Sequence, residues 1–258
     1  MARPILRVRM LRYSAEGSGP VVLLVHGFAL DGRMWGPQVA ALRDAYRVVT
    51  VDLPGFGPSP VDVGAQSAAR ALIDVLDKVT DRASHVVGLS LGGAVATDLA
   101  LAFPASVRSL TLIDALLRGR PPGIKAWGEA ASLAKQGNLT RARDAWLGDD
   151  LFAGARAHPQ VLASVREMAA DYDGGHWCDR ATTRFEVGDP ASRLGEIAAP
   201  ALVLVGEHDL PTFRAMAGEY ASALARASLQ IIPGAGHLSN LEAPDLVNAS
   251  LSRFFASA

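Results

Sequence analysis

Apolar and polar residues follow two alternating rhythms along this chain. The stretch "ILRVRMLR" (5–12) alternates residue by residue, as a strand with one exposed face does. After the turn "AEGSGP" comes an unbroken apolar run, "VVLLV" (21–25), the pattern of a strand buried on both faces. Similar runs recur in "YRVVTVD", "SHVVGLS", "VRSLTLIDA", "ALVLVGEHD" and "SLQII". Between them lie segments with helical spacing: "WGPQVAALRDA", "AQSAARALIDVLDKV", "LGGAVATDLALAF", "TFRAMAGEYASALA" and the closing "APDLVNASLSRFFAS". In the second of these Ala69, Leu72, Ile73 and Leu76 share one face, and the third is stopped by Pro104. Repeated strand–helix order predicts an α/β fold, a mostly parallel sheet covered by helices on both faces.

From 116 to 195 the rhythm changes. "GIKAWGEAASLAKQG", "TRARDAWLG" and "PQVLASVREMAADY" read as short helices broken by Gly and Pro, with no convincing strand. The expected organisation is a core built from 1–115 and 196–258, with a helical insertion at 116–195 lying over the sheet. No internal repeat or low-complexity linker interrupts it.

Composition narrows the partners. Half of the 258 residues are apolar and 20% are charged, enough for a large core. The formal net charge is −1 with both signs interspersed, so nothing points to a nucleic acid or an anionic membrane. No apolar run approaches the roughly 18 residues of a membrane span, and no secretory signal pattern opens the chain. Cys178 is the single cysteine, which leaves no disulfide framework or cysteine zinc cluster. A soluble, cytoplasmic protein is expected. The sequence leaves its oligomeric state open.

Four loops after strand-like runs carry unusual residues: "HGF" (26–28), "GLSLGG" (88–93), "GEHD" (206–209) and "GAGH" (234–237). In open α/β sheets that is where ligands bind. Gly88-Leu89-Ser90-Leu91-Gly92 matches G-x-S-x-G between a strand and a helix, the nucleophile elbow, where glycines clear space for a sharp turn. On these residues the chain resembles the α/β-hydrolase family, and in particular its small bacterial esterases and enol-lactonases. The resemblance covers nearly the whole chain outside the insertion. It implies an eight-stranded-type sheet and an insertion that serves as a cap over the active site.

The resemblance also implies a triad in the chain order Ser, Asp or Glu, His. Ser90 would be the nucleophile and Asp209 the acid. His237 would be the base, because among six histidines it alone lies downstream of Asp209. Asp114, at the end of "LTLI", is the rival acid. The backbone N–H groups of Phe28 and Leu91 would form the oxyanion hole. His26 reads as a residue that shapes the oxyanion loop, Asp52 as part of a tight turn, and His208 as a neighbour of Asp209. Trp127, Trp146, Phe152 and Trp177 are candidate substrate-binding residues of the cap, and Cys178 beside His176 either lines the pocket or packs inertly.

The function so implied is hydrolysis of a small to medium carboxylic ester or lactone, with no metal and no cofactor. Two alternatives use the same triad, a C–C bond hydrolase and a cofactor-free perhydrolase. A third, of another class, is a non-catalytic ligand-binding member of the fold. Serine at the elbow argues against haloalkane dehalogenases, which carry aspartate there. The lack of G-x-G-x-x-G after the first buried run argues against a dinucleotide-binding dehydrogenase.

Overall fold

The computed structural model describes residues 10–61 and 66–258. Its sheet has seven strands in the order β1 (Tyr13–Glu16), β3 (Arg47–Val51), β2 (Val21–Val25), β4 (Ser84–Leu89), β5 (Val107–Ile113), β6 (Ala201–Gly206) and β7 (Ala227–Ile232). β1 is antiparallel to β3, and all other neighbours are parallel. Among the described residues the sheet therefore has seven strands rather than the eight expected. The alternating stretch at 5–12 falls largely on residues 1–9, outside the described set, and among the described residues the first strand begins at Tyr13. β2, β4 and β6 are buried along their whole length, as the unbroken apolar runs of β2 and β6 required; β4 buries Ser84 and His85 as well.

Helices alternate with the strands. α1 (Gly36–Leu42) follows a 3-10 turn, and α2 (Ala68–Val79) precedes β4. Ser67 caps α2 by accepting a hydrogen bond from Arg70 N at 3.0 Å, an arrangement worth about 1 kcal/mol. Ala69, Leu72, Ile73 and Leu76 are buried on its inner face, as their spacing predicted. α3 (Leu91–Ala102) leaves directly from β4.

Between β5 and β6 the chain runs through α4 (Trp127–Lys135), α5 (Leu139–Gly148), α6 (Ala153–Ala157) and α7 (Pro159–Asp171), with no strand among the described residues. The core resumes with α8 (Pro211–Ala223), the short α9 (Ser239–Glu242) and α10 (Pro244–Ser257).

Side-chain alternation along β4 sorts the helices onto two faces. The His85 ring meets Phe255 of α10 at 4.5 Å, whereas Gly88, three residues on, faces α3. α8 joins the α3 layer through Thr97 Oγ1 and Tyr220 Oη at 3.2 Å, and α1 packs on α10.

This topology creates the crevice. From β2 the chain moves outward to β3, then crosses back over β2 to β4 and continues the other way through β5, β6 and β7. The carboxyl ends of β2 and β4 thus send their loops to opposite faces, and a cleft opens between them. Val25 pairs with Gly88, so the segment after β2 lies alongside the turn after β4.

Space at that turn is exhausted. A Cβ on Gly92 would press on the carbonyl oxygens of Val25 and His26, the latter at 2.6 Å, whereas one on Gly218 in α8 would meet nothing within 4 Å. Gly92→Ala is therefore expected to lose about 1–3 kcal/mol or more. Gly218→Ala is expected to gain about 0.4–1 kcal/mol, by lowering the entropy of the unfolded chain. Denaturant midpoints of the two variants against wild type check both signs.

Candidate active site

Ser90 is the hinge between β4 and α3, and its backbone is strained. It adopts φ 53 and ψ −115, a region that costs an ordinary residue about 1–3 kcal/mol. Surrounding hydrogen bonds hold it there. Its N–H donates to Ile113 O at 3.1 Å, and its carbonyl accepts from Gly93 N (3.0 Å), Ala94 N (3.2 Å) and Leu116 N (3.1 Å). Gly93 lies so close to Ala115 that a side chain would collide with it. The strand-to-helix turn is thereby fixed by α3 and by the end of β5, with the Ser90 side chain at its apex and 9% of the residue exposed.

The loop after β2 is fixed by His26. Leu53 N donates to His26 Nε2 at 2.9 Å, so the ring proton sits on Nδ1, which donates to Gly27 O at 2.7 Å. Burial holds this imidazole below its usual pKa and keeps it neutral, a structural tie between the loops after β2 and β3. Asp52 joins the same scaffold by accepting from Gly32 N at 2.8 Å. Phe28 and Leu91 both border the cavity that contains Ser90. Neither backbone N–H has an acceptor among the described residues.

Asp209 and His237 come from the loops after β6 and β7, and both are buried. These loops press together: a Cβ on Gly206 would meet Ala235 O at 2.6 Å, and His208 N donates to Ala235 O at 2.8 Å. His237 Nδ1 lies 3.0 Å from each Asp209 carboxylate oxygen. A carboxylate only accepts, so the ring proton is on Nδ1 and the Nε2 lone pair is free. Burial pulls the His237 pKa down, but Asp209, by charge and hydrogen bond, outweighs it and raises the pKa above the usual 6.5. Phe213 of α8 packs edge-on against the ring at 4.4 Å.

Asp114 does not touch His237 through any hydrogen bond. It is fully buried and accepts from Gly206 N (2.8 Å), Ser239 N (3.2 Å) and Ser239 Oγ (2.6 Å), stitching the ends of β5 and β6 to α9. Burial, and then the charge of Asp209, push its pKa well up. A further carboxylate, absent from the sequence reading, braces the histidine loop. Glu242 accepts from Gly236 N at 2.5 Å and from Leu238 N at 3.2 Å, the amides on either side of His237. Its spacing of five from the histidine was visible in the sequence, but nothing there showed that α9 turns back beneath the loop.

Ser90 and His237 open into one cavity of about 320 Å³. Trp127, Trp146 and Phe152 line it. Trp177 does not. It is buried behind Phe28 and packs against Phe28, Trp146 and Tyr172 with ring centres 5.8, 6.0 and 5.0 Å away. "GGHWCD" could not reveal which way its loop faces. His176 likewise stacks on Phe56 at 4.4 Å, and Cys178 is half-buried. His208 is exposed and lies 3.9 Å from Glu207. The cavity also uses Leu116, Pro122, Ile124, Leu151 and Phe213, which the sequence reading passed over because loop and helix apolar residues look alike before packing is known.

Comparison with known proteins agrees with this architecture. The family model described as Alpha/beta hydrolase family matches residues 22–250, and the chain belongs to that family. It is similar to a putative carbamate hydrolase RutD of Variovorax paradoxus, at 30% identity over 95% of this chain and 96% of that one. It is also similar to the carboxylesterase YbfK of Bacillus subtilis, at 29% identity over 93% and 82%. Among solved structures, the enol-lactonase from Burkholderia xenovorans LB400 superposes with a TM-score of 0.80 at 26% identity, covering 95% of this chain and 96% of that one.

The imidazole itself can be read directly. In an NMR titration His237 is expected to titrate above 6.5 in the wild type, because Asp209 favours the charged ring. In Asp209→Asn it should fall, since the largest influence opposing burial is then lost. A value unmoved by the substitution would refute the Asp209 pairing.

Proposed function

We propose that this chain is a serine hydrolase of small to medium carboxylic esters or lactones. The observation that carries it is one cavity holding a serine on a strained turn and an imidazole whose other nitrogen is committed to a buried carboxylate. Ser90 Oγ attacks the substrate carbonyl carbon while His237 Nε2 takes the hydroxyl proton. Asp209 fixes the tautomer and stabilises the imidazolium. The N–H groups of Phe28 and Leu91 receive the oxyanion, each donor of this kind contributing about 2.7–4 kcal/mol in other enzymes.

Collapse of the tetrahedral intermediate expels the alcohol oxygen, which takes the proton from His237, and leaves an acyl-serine. Water attacks the acyl-serine by the same steps, and Ser90 recovers its proton. The names of the relatives support this class: esters, lactones and carbamates all present an acyl carbonyl with a heteroatom leaving group.

In this reading 116–195 is a cap on a core of 1–115 and 196–258, and Trp127, Trp146 and Phe152 shape the substrate site. Trp177 acts indirectly, by backing Phe28. Asp209 is the acid and Asp114 a structural carboxylate, because only Asp209 bonds the imidazole among the two.

A fluorophosphonate probe is expected to label wild type and to leave Ser90→Ala unlabelled; labelling of the variant would remove Ser90 as nucleophile. On short p-nitrophenyl esters Ser90→Ala and His237→Ala should each lower kcat by similar factors, about 10⁴–10⁶, because the members act as a unit. Asp209→Asn should lose about 10⁴ and Asp114→Asn less than about tenfold, the reverse order moving the acid to Asp114. The wild-type kcat/KM should rise with pH through an apparent pKa above 6.5, since only neutral His237 accepts the proton.

A further inference from the structure

Beside Ser90 and the His237 imidazole, the described lining residues of the cavity include no lysine or arginine. Leu30, Leu116, Ile124, Leu151 and Phe152 are hydrocarbon or aromatic, and the remaining polar side-chain groups of the wall are the neutral indole N–H groups of Trp127 and Trp146. The nearby cations are committed elsewhere. Lys125 is exposed and paired with Asp150 at 2.9 Å, and Arg120 is paired with Glu219. Arg156 donates to Leu147 O and Asp149 O, and Arg118 to Val187 O and Gly188 O. The group hydrogen-bonded behind His237, Asp209, is a carboxylate and adds no positive charge.

From this we infer that the group seated in the cavity is uncharged, and that esters or lactones retaining a free carboxylate on that group are rejected. The inference rests on the hydrolase reading and narrows its substrate class. A carboxylate carried into this space would lose its water, find no lysine or arginine to pair with, and compete with Asp209 for the only imidazole there. An alkyl or aromatic acyl group meets matching apolar walls instead. Size limits it further, because a cavity of about 320 Å³ lies at the small end of ligand sites. Among lactones this favours rings carrying a neutral alkyl chain over those derived from dicarboxylic acids.

Three methyl esters of closely similar length separate the possibilities: methyl heptanoate, methyl 5-carbamoylpentanoate and monomethyl adipate. The second and third are near-isosteres that differ in charge. The expected kcat/KM falls in that order, with monomethyl adipate at least about a hundredfold below the neutral amide. Ile124→Arg, which places a guanidinium at the wall, is expected to raise the adipate value at least tenfold. Comparable rates for acid and amide in the wild type would overturn the inference.

Calorimetric binding of the three compounds to Ser90→Ala tests the same point without turnover. If no ester is cleaved but the neutral compounds alone bind, the hydrolase reading fails and the selectivity of the cavity stands. If acid and amide bind alike, the selectivity fails whatever the rates show.

Discussion

The structure depends on one crowded crossing of backbones, where β4 turns into α3 between the ends of β2 and β5. Gly88, Gly92 and Gly93 let α3 start in contact with the carbonyl oxygens of Val25 and His26 on one side and with Ala115 on the other. No side chain fits at these contacts, and Ser90 is left in a left-handed conformation that its own residue type disfavours. Four backbone hydrogen bonds to Ser90 N and O offset that strain. The same crossing sets the helix N-terminus, where Leu91 N–H has no intrahelical partner, beside the loop that carries Phe28 N–H. Geometry at one turn thus supplies the proposed nucleophile and one proposed oxyanion donor, and sets them beside the loop that carries the other.

Three carboxylates then surround one imidazole, and their hydrogen bonds assign them different tasks. Asp209 holds the ring nitrogen, Glu242 holds the two amides that flank His237, and Asp114 ties β5 and β6 to the start of α9. Burial and like charge raise the Asp114 pKa, and opposite charge raises that of His237. A protonated His237 therefore faces a buried carboxylate already hydrogen-bonded to its ring.

Phe28 couples this machinery to the inserted helices. Its ring contacts Phe56 of the core and Trp127, Trp146, Tyr172, His176 and Trp177 of the insertion. Backbone at the proposed oxyanion site and packing over the cavity therefore belong to one residue. The return of the insertion is anchored separately. Asp98, buried on α3, accepts from Glu186 N and Val187 N at 2.8 Å each, and Arg33 reaches Glu167 and Asp171 on α7. The first is a desolvated, charge-assisted clamp. The second is an exposed ion pair, worth little in water.

By itself the sequence determined the α/β order, because buried parallel strands and amphipathic helices leave different periodicities over short windows. The 21–25 run became β2 and the Ala69–Leu76 face was buried against the core. It also singled out Ser90, Asp209 and His237, because elbow glycines and strand-end positions are local features in a fixed chain order. Nothing in the sequence showed that Trp177 packs behind Phe28 or that Glu242 braces the histidine loop, since both depend on which way a loop turns in space. Only the tertiary structure put Asp209 rather than Asp114 in hydrogen bond with His237, brought Leu116, Ile124 and Phe213 to one cavity, and placed no lysine or arginine among its described lining residues. Those outcomes are contacts between residues far apart in the chain, and local pattern carries no information about such distances.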